Sequence, residues 1–224
     1  MEGSRTPLAK WAAAIRFLST RKSINAKQLA AAIAVTYKTA WSMLRNIRAA
    51  LLSFDEELPL SGPIAAGVAF YGRRYYHTYV RHPQQHPMIV ACAYGEGGTP
   101  SYIKIKHVHS AFMDEKRLLL AGEHHFRLRH VKDGASIKIS SHLPFYKHIT
   151  MQQVFSQAKA WLNNTFGGLG TKYLDAYFAE YCFRLHTFLH KTDPYERILA
   201  VCLRQSRSAA YVSRRGSARS IAAA

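Results

Sequence analysis

Lys38, Ser42 and Arg45 are spaced i, i+4, i+7, with Thr39 beside them near the start of the same run. On a helix that spacing lines up one face, and its donors and acceptors could reach base edges in a DNA groove. Arg48, Arg21 and Lys22 lie close by in sequence and suit phosphate contacts. A second chemistry is suggested by the twelve histidines. His107 and His109 would share one side of a strand, and His186 and His190 are spaced as a helical chelating pair. No HExxH motif accompanies them, so they read as surface or core histidines of a basic protein. The acids Asp114, Glu115 and Glu123 read as solvated charges in a helical stretch, and Glu180 as a partner for a nearby Arg or Lys. Tyr173, Tyr177, Phe178, Tyr181 and Phe183 have core spacing. Arg73-Arg74-Tyr75-Tyr76 would also suit single-strand contacts.

These residues need elements to hold them. Residues 7–52 read as helices throughout. Pro7 opens one with an apolar face of Leu8, Trp11, Ala12, Ile15 and Leu18. Residues 25–33 form a short second helix, Ala34-Val35-Thr36 a break, and Tyr37–Leu51 a longer third. Short helix, tight turn, longer helix is the helix-turn-helix layout. Ala40, Met43 or Leu44, Ile47 and Leu51 supply the inward stripe of the third helix. Asp55-Glu56-Glu57 and Pro59 mark a boundary. The uncharged stretch Leu60–Gly72, then Met88–Tyr94 and Tyr102–Val108, read as three strands of an antiparallel meander. Residues 114–132 are helical in part, and Ser136–Ser140 is a short strand. Helices follow over 150–163, 171–190 and from Asp193 to about Leu203. The Arg-rich tail from Arg204 is expected to be mobile and open to phosphates.

The chain has 224 residues, with 31 Lys and Arg against 13 Asp and Glu and a formal charge of +18. Such an excess implies a polyanionic partner, most simply nucleic acid. Segment 1–54 alone carries nine Lys or Arg and a single acid, Glu2. Apolar residues make up 48%, which excludes a disordered tail protein. Cys92, Cys182 and Cys202 form no CxxC pair, so neither a zinc ribbon nor a disulfide framework is expected. No run reaches about 18 consecutive apolar residues and no leader segment is evident, so the expectation is a cytoplasmic protein without membrane attachment.

The blocks Arg5–Trp11, Ser23–Leu29, Val35–Trp41 with Met43-Leu44, and Lys159–Arg184 occur in an order that resembles the DDE insertion-sequence transposases of the ISXO type. The resemblance covers roughly residues 5–203. It implies an α/β chain: an N-terminal helix-turn-helix over 1–54, an RNase H-like mixed sheet flanked by helices over 55–203, and the basic tail 204–224. It also implies a two-metal strand-transfer site, in which carboxylates from separate elements hold Mg²⁺ for in-line phosphoryl transfer.

Each implied ligand position departs from the family. The family's first strand carries Gly-x-(Ile/Val)-Glu-x-Asp ahead of an aromatic pair and Gly. Aligned on Leu60, Gly62, Ile64, Phe70 and Gly72, the Glu falls on Ala65, the catalytic Asp on Gly67, and an Asp that often follows on Val68. The second Asp falls on Ser140 in Gly134–Ser140, with Ser141 next. The third ligand falls on Gln157, and a family His on Gly167. Lys159 and Glu180 are retained. The zinc ribbon that commonly precedes the helix-turn-helix is missing, which reads as a shortened chain.

The sequence therefore reads as a DNA-binding relative of a transposase whose catalytic acids are replaced and which needs no cofactor. Its expected partner is double-stranded DNA, including transposon ends. A homo-oligomer, or a mixed oligomer with an intact relative, would fit the same reading. The alternatives are an active transposase using Mg²⁺ on other ligands, a domesticated DNA- or RNA-binding regulator, and a pseudogene product without a role.

Overall fold

A computed structural model describes residues 5–20, 23–73, 80–140 and 149–204. They form two compact units, one from residues up to 54 together with those from 191 onward, the other from residues 55–190. The architecture is mixed α/β, with seven helices among the described residues, a four-stranded mixed sheet and a two-stranded ribbon. No described helix is long and apolar enough to cross a membrane.

The first unit is helical. Helix α1 (Leu8–Ser19) follows Pro7 and buries Trp11, Ala14, Ile15 and Leu18. Helix α2 (Ala26–Ile33) buries Ala26, Leu29 and Ile33. Its start is fixed by a capping box: the Asn25 carboxamide oxygen accepts the Gln28 N–H at 2.9 Å, and the Asn25 N–H donates back to Gln28 Oε1 at 3.0 Å. Ala34 then turns the chain in the left-handed region at φ 51°, where a side chain is rarely found. Helix α3 (Tyr37–Glu57) runs six residues beyond the expected Leu51, because nothing in Leu52–Glu57 breaks a helix before Pro59. Helix α7, residues 194–204, belongs to this unit rather than to the sheet domain with which the sequence reading grouped it. Within the unit the Arg16 guanidinium lies over the Tyr195 ring at 5.5 Å.

The second unit is built on strands β1 (Ile64–Gly72), β2 (Gln85–Tyr94), β3 (Pro100–His107) and β6 (Ile137–Ser140), ordered β3-β2-β1-β6. The first three pair antiparallel, and β6 lies parallel to β1. Both faces are covered, which explains why β1 and β2 are nearly uncharged. One face packs Met88, Val90, Ile103 and Ile105 against helices α5 (Ile149–Phe166) and α6 (Thr171–Leu189). The opposite face packs Ile64, Ala66, Val68 and Ile89 against Phe126 of helix α4 (Leu120–His130). Fully burying each such aliphatic chain contributes about 1.5–3 kcal/mol.

The stretch 114–132, expected to be helical in part, is helical over Leu120–His130, but Asp114 and Glu115 precede that helix and do not lie on one. Residues 113–118 form a ribbon of β4 (Met113–Asp114) and β5 (Arg117–Leu118), turning through Glu115 at φ 47°. Two glycines have steric reasons to be there. A Cβ on Gly72 would fall 2.0 Å from the Gln84 carbonyl oxygen, and one on Gly122 would lie 2.8 Å from the Cβ of Phe112. Gly122 thus lets α4 settle against the ribbon.

Candidate functional site

The α2–α3 region presents one exposed polar row. Ala40, Met43, Leu44, Ile47 and Leu51 are buried along α3, and helical spacing leaves Lys38, Ser42 and Arg45 exposed on another face. The Thr36 hydroxyl accepts the Thr39 N–H at 3.2 Å and fixes where α3 begins. Thr39 is half-buried and its own hydroxyl lies 2.9 Å from that of Thr36, so it serves the cap rather than the exposed row. Arg48 also departs from expectation. It is buried, because it lies one turn from both Leu44 and Leu51 and so falls on the inward stripe. Arg21 and Lys22 lie outside the described residues, as do Arg74, Tyr75 and Tyr76 and the tail beyond Arg204. Sequence reasoning missed Trp41, whose ring sits 5.5 Å beneath the Arg45 guanidinium. The i, i+4 spacing of an aromatic and an arginine was the available signal.

In the sheet, Gly67 on β1 and Ser140 on β6 are direct register partners. They belong to the set of alternate positions that includes Ala65, Ala69 and Tyr71, which faces α5 and α6. Two positions far apart in sequence are thereby brought side by side, with a hydrogen atom on one and a hydroxyl on the other. Gln157 is exposed on α5, where its Oε1 accepts the Tyr181 hydroxyl at 3.5 Å. Lys159 is half-buried with its ammonium 4.9 Å from the Phe155 ring centre. Glu180 is buried on α6, and its carboxylate pairs with Arg184 at 3.5 Å. A two-metal centre needs hard anionic oxygens converging on each ion, and this set of a glycine, a serine and an exposed glutamine does not fit one.

The other candidates are dispersed. His186 on α6 and His190 at its C-terminal cap have ring centres 4.3 Å apart, and His190 Nε2 also lies 3.2 Å from the Ser101 carbonyl oxygen. His109 Nδ1 accepts the Ala111 N–H, and Glu115 accepts the Arg81 N–H at 2.8 Å. Among the described residues no three His, Cys, Asp or Glu side chains are placed to hold a metal ion.

A buried polar cluster joins β3 to the end of α3. Tyr102, Lys104 and Lys106 alternate on β3 and turn toward Asp55, in the last turns of α3. The Asp55 carboxylate lies 2.6 Å from Lys106 Nζ and 3.6 Å from Lys104 Nζ, and it accepts the Tyr102 hydroxyl at 3.0 Å. Lys104 also donates to the Asp55 carbonyl oxygen. Burial pushes the Lys104 ammonium below its usual range, against the pull of Asp55. Beside them, burial first, and then Lys106 and Lys104, hold the His130 imidazole down at about 3. Arg129 acts in the same direction and Asp55 against it. His107 is lowered too, chiefly by burial, with Asp175 opposing.

His130 therefore makes the unit acid-labile. Its folded value lies below the ordinary imidazole value, so the stability is present above about pH 6.5 and lost as pH falls toward about 3. One such proton gives a slope of about 1.4 kcal/mol per pH unit. Urea unfolding of wild type and His130→Phe between neutral pH and mild acid should show the gap between them closing as pH falls. Parallel curves would remove His130 from the acid response.

The chain matches no protein family model, no curated protein and no solved structure.

Proposed function

We propose that the chain is a duplex-DNA-binding protein derived from an insertion-sequence transposase of the ISXO type, with its phosphoryl-transfer site replaced by neutral residues. The observation that carries the reading is the exposed Lys38, Ser42 and Arg45 row on α3, set behind the capped α2–turn–α3 junction. A helix-turn-helix offers its second helix to the major groove in this manner. Arg45 would read a guanine edge, Ser42 a neighbouring base, and Lys38 a phosphate. The formal charge of +18 supports a phosphate-bearing partner of some length.

The strand order β3-β2-β1-β6, with three antiparallel strands and a fourth parallel to the first, supports an RNase H-like descent for the second unit. The side-by-side pairing of Gly67 with Ser140 supports it further, since the resemblance assigns the two catalytic aspartates to those positions. On this reading the protein occupies transposon ends in the cytoplasm, alone, as a homo-oligomer or together with an intact relative.

Duplex binding is expected to weaken steeply with salt, log K falling against log salt by about 0.9 per phosphate neutralised. After selection of a preferred duplex, Arg45→Ala should cost about 1–3 kcal/mol on that sequence and relax it at one position. Lys38→Ala should weaken all sequences alike and flatten the salt slope by about 1. Duplex binding that is absent at low ionic strength, or a clear preference for RNA, would overturn the reading.

A further inference from the structure

The second unit contains a cavity of about 210 Å³ between the end of β3 and helix α4, on the sheet face opposite α5. Lys106 and His107 come to its wall from β3, and Arg129 and His130 from α4. Glu56 and Asp175 also lie on the wall. We propose that this cavity binds a small oxyanion of the phosphate class, gripped by Lys106 and Arg129, with the His130 imidazole as a further donor.

The charge balance of the wall points to an anion. Lys104 and Lys106, both buried, share the single carboxylate of Asp55, so among the described residues two buried cations have one anion between them. The two remaining acids are otherwise engaged. Glu56 is half-exposed and faces Arg129 at 4.0 Å, and Asp175 accepts the main-chain N–H of His107 at 2.7 Å. An oxyanion beside Lys106 would supply the missing charge in a place where the low dielectric strengthens the pairing.

His130 gives an independent indication. It is more than nine-tenths buried, it lines the cavity, and its Nδ1 has no hydrogen-bond partner among the described residues. Buried polar atoms of that kind are rare in folded proteins and mark an absent water, ion or ligand. Neutral imidazole keeps one N–H to give, and a bound anion would also favour its charged form. Lys106 and Arg129 oppose a metal ion at the same place, and no three metal-ligating side chains converge there. The volume lies below that of pockets for drug-sized ligands, which favours a compact anion or the phosphate end of a larger molecule.

Titration of the full chain with orthophosphate, by calorimetry and by NMR of the histidine rings, tests the site. The expected result is one saturable event per chain, with the His130 ring signals moving at the same midpoint. Lys106→Met and His130→Phe should each weaken it about tenfold or more. Arg129→Gln should also weaken it; its side chain is 57% exposed, so this variant keeps the test readable if a buried one fails to fold. Lys38→Ala/Arg45→Ala should leave the midpoint unchanged, which separates the cavity from general binding to a basic surface. Displacement of the phosphate by a short duplex would assign the site to nucleic-acid phosphate, and no displacement to a free anion; either sustains an oxyanion site. The absence of a saturable millimolar event, or one that Arg129→Gln and His130→Phe leave untouched, would overturn the proposal.

Discussion

Replacing Asp55 by Asn is expected to cost the second unit about 3–5 kcal/mol, because it leaves buried ammonium groups without their carboxylate. Lys104 is fully buried and Lys106 nearly so, and Asp55 is the acid paired with both. Asparagine keeps the volume and can still accept the Tyr102 hydroxyl, so the loss reports charge rather than packing. The pH dependence has a definite sign. Without Asp55 the folded-state Lys104 value, already lowered by burial, falls further. A depressed folded value means that the folded chain binds fewer protons, so stability rises as pH climbs toward the ordinary lysine value near 10.4. The variant should therefore recover part of its loss between neutral and alkaline pH. Adding Lys104→Met should restore more, since removing both charges is far cheaper than removing one. Urea midpoints for the single and double variants decide the matter. A loss under about 1 kcal/mol at neutral pH would mean that the lysines shed their protons without strain, or reach water.

That cluster also shows where the sequence stops being readable. Tyr102-Ile103-Lys104-Ile105-Lys106 alternates with strand period, and alternation ordinarily places the lysines in water. Here Ile103 and Ile105 face α5 and α6 while the lysines are buried on the other face. The counter-charge that permits this comes from Asp55, far upstream on a helix, and no local pattern connects the two. Arg48 and Thr39 failed for a different reason. Both are polar residues within a helix, and only the final register of α3 assigns one to the buried stripe and the other to the cap. The ribbon over 113–118 was hidden because its turn uses Glu115 at positive φ, where glycine or asparagine would have given the signal. What was legible had strong local chemistry. The short helix opening at Asn25, the boundary at Pro59, the three apolar strands and the amphipathic α3 all fall where their side chains demand. The pairing of Gly67 with Ser140 followed from no local signal; it needed a parallel contact between strands separated by a whole meander and a helix.

The same pairing leads to the last expectation, that Gly67→Asp together with Ser140→Asp creates a manganese site at two positions where the wild type carries a glycine and a serine. Partner residues on adjacent parallel strands point to the same face, and the strands lie about 4.8 Å apart. Two carboxylates at that separation can share one hard divalent ion, each giving at least one oxygen. Without metal the pair should be costly, since like charges so close raise one carboxyl value and strain the sheet. The double variant should thus melt below wild type in chelator and regain stability as Mn²⁺ is added. At a free concentration of 100 times the dissociation constant the gain is about 2.7 kcal/mol, a linkage effect that wild type cannot display. Each single variant, with one carboxylate, should respond at least about tenfold more weakly. Melting curves with and without Mn²⁺, checked against Mg²⁺, make the comparison. An equal response in the single and double variants would mean that the two side chains do not converge, and the proposed descent would lose the support it draws from this pairing. A cooperative response would show that the parallel register of β1 and β6 brings two side chains onto one divalent ion.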